Sequence, residues 1–462
     1  MVLSVHLGRP AEVRQTSARH AGGVTSTPDP SPDAVRAPPA PGLPTAPPAS
    51  RAAATAVHAS GAPVAYSGPV AAGGRFVAPD LLRGVALLGI ALANSVYYVT
   101  DRVTGPLARP VDGSTGDHVA DVLVGTLVDN RSFPLFTLLF AYGFTVLVQR
   151  QAAHGVPRDR ARALLLRRSL WLVVFGALHV VFLFEGDVLL SYGLLGLVLA
   201  AMFAAGDRAF RVVGWSTLVV FLAVAGQDGL AGGGATEIDA LPIDVGTVLG
   251  DALWRLVALV ALVFTAPLAI GMLLPLAVLG TLLGRRRVLE RPAEHLPLLR
   301  RLALVGFPVS VLGALPLVLA TVGSWQPAPV VLYLLGVLHG ATGVVGALAL
   351  LGLVGWWVGA QEARTASVLV PTSAPVRALV SVGRRSLTCY LLQSVLFVLL
   401  LKPWALGLGV GAGTLSIGLI AVGVWLVTVV VAVLLERAGR QGPAEWVLRR
   451  LTYGRPAVPQ AA

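Results

Sequence analysis

Runs of about twenty apolar residues recur from residue 80 almost to the end of this chain, separated by short polar or glycine-rich stretches. About 20 apolar residues in a helix cross a hydrocarbon core about 30 Å thick. In lipid the backbone must satisfy its own hydrogen bonds, so only helices and closed barrels can span. Barrel strands read as short segments of alternating polarity, and these runs do not alternate. The expected fold is all-α, a polytopic transmembrane helical bundle. Composition agrees: 55% of residues are hydrophobic and 13% charged, where a soluble domain carries about 25% charged residues.

Ten candidate spans can be counted, at about 80–99, 132–149, 165–185, 188–206, 211–227, 254–283, 302–322, 330–358, 386–402 and 413–435. Residues 112–131 are expected to add an amphipathic segment at the outer surface. Residues 80–455 form the transmembrane domain. Residues 1–79, rich in Pro, Ala, Ser and Gly, lack the large apolar residues a core needs and read as a disordered cytoplasmic tail. They also lack the pattern of a signal peptide. Residues 456–462 are expected to be a flexible C-terminus.

The net charge of +12 does not point to nucleic acid. Of the 35 basic residues all but Lys402 are arginine, and they cluster beside the ends of the apolar runs rather than in a stripe with exposed aromatics. With the N-terminal tail placed in the cytoplasm, 29 of them fall inside and four outside. That bias places both termini in the cytoplasm. The localisation expected is the bacterial inner membrane, multi-pass, with the lipid bilayer as the partner throughout. One cysteine, Cys389, excludes an intrachain disulfide and a cysteine-cluster metal site. The histidines are scattered, and no metal site is expected.

Ionisable residues inside a membrane span are costly enough to mark candidate sites. In the first run, Asp80 and Arg83 are spaced to pair on a helix, and Asn94 lies on the same face about three turns on. The third run, RSLWLVVFGALHVVFLFEGD, starts at Arg168 and carries His179 on the arginine's face, about 16 Å along the axis. Glu185 and Asp187 close it at the outer edge. An imidazole with a carboxylate nearby is the equipment of a general base, and equally of a histidine bonded to a neighbouring helix. In the ninth run, Ser386, Tyr390 and Gln393 share one stripe, facing either a cavity or a neighbouring helix. His339, among glycines, reads as packing.

Five stretches together resemble the YeiB-like family of bacterial integral membrane proteins, whose shared region is domain of unknown function 418. They are PDLLRGVALLGIALAN, RSFPLFTLLFAYGF, ALHVVFLFEGDVLLSYGLLG, GRRSLTCYLLQSVLF and GPAEWVLRRLTYG, in the family's order across residues 80–455. The third brings Tyr192 among the candidate binding residues. The family is distantly similar to transmembrane acyltransferases, which carry an aspartate-arginine-glycine signature, as at Asp80, Arg83 and Gly84. Many also have an arginine and a histidine separated as Arg168 and His179 are. Some relatives place a histidine where His118 stands, and it ranks below His179.

The resemblance implies an acyltransferase taking an acyl-CoA-type thioester as substrate, with no permanently bound cofactor. Arg83 and Arg168 would meet the donor's phosphates. His179 would deprotonate a small-molecule, glycan or lipid acceptor. Ser386 or Tyr390 would donate to the oxyanion, and Glu185 or Asp187 would orient the histidine or receive the acceptor. The competing expectation is a carrier for a small anionic solute, since carriers also place isolated charges at mid-membrane.

Overall fold

The computed structural model describes residues 76–203, 205–231, 243–365 and 367–454. The tail expected over 1–79 lies outside the described residues up to position 75, and 456–462 lies outside them entirely. Val77–Pro79 already belong to the first helix, so the helical domain opens just before Asp80. Pro79 is tolerated there because first-turn N–H groups have no helical partner.

Among the described residues the regular elements are helices, accompanied by two isolated bridges, Thr100 to Val410 and Thr104 to Pro110. The first five are α1 (Val77–Ser95), α2 (Thr115–Leu127), α3 (Ser132–Ala153), α4 (Arg158–Phe182) and α5 (Leu189–Ala201). Then come α6 (Asp207–Ala225), the single turn α7 (Gln227–Leu230), α8 (Val248–Arg285), α9 (Leu296–Thr321) and α10 (Pro329–Thr365). The chain closes with α11 (Ala374–Arg384), α12 (Ser386–Leu401), α13 (Thr414–Arg437) and α14 (Pro443–Tyr453).

Among the described residues, eight helical segments are long and apolar enough to cross a membrane, or nine if α11 and α12, bent by 87°, make one span. This is a multi-pass membrane protein. The expected count of ten differs because hydropathy registers apolar residues and not helix continuity. The fourth run becomes α5, which at 13 residues is about 20 Å long and shorter than a hydrocarbon core. The ninth is α12, one arm of the bent pair. Two helices overshoot: α8 has 38 residues, with Pro267 and Pro275 inside it, and α10 has 37. Such lengths fit a tilted helix or one that extends past the bilayer.

The expected amphipathic segment is α2. Its apolar residues Val119, Leu123 and Leu127 face outward while Asp117 and Asp121 are buried, the pattern of a helix with lipid outside and protein inside. Ser114 and Asp117 form a reciprocal capping box at its start. The second oxygen of Asp117 accepts the N–H of Leu415 at 2.9 Å, so one carboxylate caps both α2 and α13.

Two close helix contacts position the polar residues. α11 crosses α1 so tightly that a Cβ on Gly383 would stand 1.7 Å from the Asp80 carbonyl oxygen. α4 and α5 meet with equal intimacy: a Cβ on Gly193 would stand 2.5 Å from the Val173 nitrogen. Small residues at such crossings let backbones approach. Around them, one apolar core joins α1, α3, α10 and α11 through Leu82, Leu138, Leu351 and Val380. A second joins α3, α5 and α8 through Ala141, Leu195 and Leu273.

Candidate active site around His179

His179 occupies the last turn of α4, and its carbonyl accepts the N–H groups of both Leu183 and Phe184. The chain therefore curls tightly past the histidine into the turn 183–188. On one side of the ring, Nε2 lies 2.8 Å from Ser394 Oγ on α12. On the other, Nδ1 lies 2.8 Å from Asp187 Oδ1, a close contact too bent to be a well-directed hydrogen bond. All three residues are buried. Ser394 Oγ also lies 3.4 Å from the Tyr390 carbonyl of its own helix. When its hydroxyl donates to Nε2 instead, the ring proton sits on Nδ1, on the carboxylate side, the tautomer a base needs.

Each partner is fixed by its element. Asp187 Oδ2 accepts the N–H of Leu190 at 2.6 Å, so the carboxylate is tied to the N-terminus of α5, where the helix dipole favours negative charge. Tyr390 stands 3.4 Å from Asp187 Oδ1 through its hydroxyl, and its ring centre is 5.0 Å from that of His179. Gly176 makes the room: a Cβ there would come 2.8 Å from Asp187 Oδ2 and 2.1 Å from the Leu190 nitrogen.

An aromatic wall separates this cluster from a groove. Phe184 meets the His179 ring edge-on at 6.5 Å and stacks on Tyr98 at 5.4 Å. Phe184, Glu185 and Gly186 also line a groove of about 310 Å³ whose long side is the α8 face from Trp254 to Thr265. Behind Glu185 lies an ionic cluster. Lys402 Nζ is 4.0 Å from Glu185 Oε2 and 2.9 Å from Asp251 Oδ1. Asp251 Oδ2 also meets Arg255 at 2.8 Å and accepts from Trp404 Nε1 at 2.9 Å. Lys402 lies over the Tyr98 ring at 5.4 Å, so the ionic cluster and the aromatic wall share a residue.

The other sequence candidates fall at different depths. Asp80 Oδ1 pairs with Arg83 at 3.0 Å, while Arg384 approaches its Oδ2 at 3.6 Å and reaches Glu436 at 2.7 Å. Arg83 Nη2 lies over Gly143 of α3, within 3.1 Å of where a Cβ would stand. This group sits at the start of α1, whereas Tyr98, just past its end, packs on Phe184 beside His179. The two polar groups thus lie at different depths along α1. Arg168 is half-buried on α4, eleven positions before His179. Asn94 is half-buried near the end of α1.

On α12 the expected stripe divides. Ser386 is at the first turn, beside the bend; Tyr390 reaches Asp187; Gln393 turns to the Leu87 carbonyl of α1 at 3.4 Å. Tyr192 is a core residue, stacked between Phe136 and Phe140 with its hydroxyl 3.1 Å from Thr137 Oγ1. His118 bonds the Gly113 carbonyl at 2.8 Å and secures the turn before α2. His339 is fully buried: Asn130 donates to its Nδ1 at 3.0 Å, and its Nε2 donates to the Gly125 carbonyl at 2.9 Å. Packing describes His339 well, although the network is larger than expected. Asn130 also donates to Asp228, and Arg131 spans to Ser310. Nearby, burial would lower the Arg109 guanidinium's pKa, but the Asp129 carboxylate at 2.6 Å more than offsets it and the net shift is upward.

Sequence reasoning passed over Ser394, the hydroxyl that meets the histidine. It stands one helical turn after Tyr390 and was legible as part of the same stripe. Asp251 and Lys402 were also missed. The signal there was modest: the chain's sole lysine at a span end, and Asp251 and Arg255 four apart on one helix.

The region 283–455 matches the family model described as "Protein of unknown function (DUF418)". "Uncharacterized protein YeiB" of Escherichia coli (strain K12) is 27% identical over 405 residues, covering 82% of this chain and 96% of that protein. "Uncharacterized protein YxaH" of Bacillus subtilis (strain 168) is 25% identical over 402 residues, covering 81% and 93%. A shorter match, 36% identical over 132 residues, is to an "Uncharacterized 39.9 kDa protein in amylase 3'region" of Bacillus acidopullulyticus and covers 28% of this chain and 35% of that one. No solved structure matches. The family model and the relatives YeiB and YxaH together support a YeiB-like, DUF418 family for this chain.

Proposed function

We propose that this chain is an acyltransferase of the bacterial inner membrane, moving an acyl group from a cytoplasmic thioester to an acceptor reached in the outer half of the bilayer. The observation that carries the reading is the buried row Ser394–His179–Asp187, with 2.8 Å on either side of the imidazole. The arginine distribution supports cytoplasmic termini, and that orientation puts the start of α1 inside and the His179 cluster toward the outside. An acyl-CoA-type donor would anchor its phosphates near Arg83 and Arg168 and extend its thioester along α1 toward His179.

His179 Nε2 takes the proton from the acceptor hydroxyl or amine as that group attacks the thioester carbonyl. Collapse of the tetrahedral intermediate breaks the C–S bond, and the imidazolium returns the proton to the departing thiolate. Asp187 stabilises the imidazolium, and the Tyr390 hydroxyl is the nearest donor for the oxyanion. Ser394 holds the acceptor oxygen's place in the resting site. It sits inside α12, where backbone N–H groups are committed to the helix and offer no oxyanion hole, so the reading gives the attack to the acceptor directly.

Purified protein in proteoliposomes, assayed against a panel of acyl-CoA thioesters, tests the proposal. Thioester consumption that depends on His179 supports it. No consumption by the wild type, with uptake of a small anion instead, would transfer the assignment to a carrier.

A further inference from the structure

The groove beside Phe184 has a shape and a polarity that specify an occupant. One wall is the α8 face from Trp254 to Thr265, about 16 Å long, and it is almost wholly apolar. The most apolar 18-residue stretch of α8 is only 11% buried inside the protein, the smallest share among the corresponding stretches of the candidate spans. The groove therefore opens sideways, toward lipid, rather than to water. Its volume, about 310 Å³, is at the lower end of ordinary ligand sites, about 300–1,000 Å³.

One end differs. Glu185 lines the groove there, its side chain a quarter exposed. The two cations nearby, Lys402 and Arg255, are balanced by two carboxylates, Asp251 and Glu185 itself. That end therefore presents a carboxylate without a surplus positive charge. It suits a hydroxyl or amine and disfavours a phosphate. Past Glu185, the Phe184 ring both lines the groove and meets the histidine edge-on.

We propose that this groove binds a membrane amphiphile with a hydroxyl- or amine-bearing, non-phosphate head, its chain along α8 and its head at Glu185. On the acyl-transfer reading, on which this part rests, that amphiphile is the acceptor, and it reaches His179 when the Phe184 ring turns aside. Such a route removes the need for a water-filled path from outside: the acceptor arrives laterally, at the high concentration of a bilayer component.

Photolabelling in proteoliposomes tests this independently of turnover. The probe is a monoacylglycerol bearing a diazirine in its chain, with a phosphatidic acid bearing the same diazirine as the anionic comparison. Labelling by the monoacylglycerol is expected within residues 254–265, at least tenfold above the phosphatidic acid. Ala261→Trp, which fills the groove, is expected to remove it, and Glu185→Gln to reduce it several-fold. Ala258→Phe serves as a second obstruction should the tryptophan variant fail to fold. Equal labelling by both probes, labelling elsewhere, or labelling that survives both obstructions would overturn the proposal. If labelling fails while His179-dependent thioester consumption persists, the groove assignment falls and the acyltransferase reading stands. If labelling succeeds without turnover, the groove stands as a lipid site and the acyltransferase reading falls.

Discussion

Ser394 Oγ lies 2.8 Å from His179 Nε2 although 215 residues separate them in the chain. The hydroxyl is on α12, the imidazole at the end of α4, and the turn after α4 returns Asp187 to the far side of the ring. If the acceptor attacks directly, Ser394 is a placeholder and not a nucleophile. Ser394→Ala is then expected to keep thioester turnover within about tenfold of wild type, far less than the loss of a general base, about 10²–10⁴. Side-by-side initial rates check this; a Ser394→Ala rate as low as that of a base-deleted enzyme would mean that the acyl group passes through the serine.

Gly176 is expected to tolerate no side chain. A methyl there would meet the Leu190 nitrogen at 2.1 Å and the Asp187 carboxylate at 2.8 Å. Gly176→Ala should push α5 and Asp187 away from His179, at a cost of about 1–3 kcal/mol, as for other overpacked sites. Thermal unfolding in detergent measures the stability loss, and activity should fall with it. An unchanged melting temperature and activity would show that the α4–α5 contact is looser than described.

Asp251 neutralises two buried cations at once. Asp251→Ala strands Lys402 and Arg255, and breaking a buried pair by removing one partner costs about 3–5 kcal/mol. The double variant Asp251→Leu with Lys402→Met should recover part of that loss, since one of the stranded charges goes too. A denaturation series on the single and double variants reads the coupling; simple additivity would contradict it.

Glu445 on α14 closes the N-terminus of α12. Its Oε1 accepts the N–H groups of Leu387 at 2.8 Å and Thr388 at 3.1 Å. Glu445→Ala should cost about 0.5–2 kcal/mol, as for a lost helix cap, and should raise hydrogen exchange in the first turn of α12. Exchange unchanged at Leu387 and Thr388 would show that the cap is dispensable.

Much of this arrangement was readable from residues close together in sequence. His179 and Asp187 belong to one continuous stretch, and a glycine-containing turn between them was enough to foresee a histidine beside a carboxylate. The long apolar runs gave the membrane fold for the same local reason. What was not readable depends on distant contacts or on backbone direction. Tyr192, polar-tipped in a span, turned out to face Phe136 and Phe140 in the core, because only the packing of α3 on α5 decides where its ring points. The 87° break before Ser386 leaves no mark in hydropathy. It moves Ser386 to a helix end and brings the next residues of that stripe to the histidine. Asp251 and Lys402 meet across 151 residues, a distance over which no single-sequence periodicity carries information.

One comparison tests most directly whether His179 is the base in an acyl transfer. Wild type and His179→Ala, reconstituted in the same liposomes at equal folded amounts, are given the thioester the wild type consumes fastest, and initial rates are measured. A fall of about 10²–10⁴ in the variant, the loss expected when a general base is removed, supports the assignment. Equal rates would contradict it and remove His179 from the chemistry.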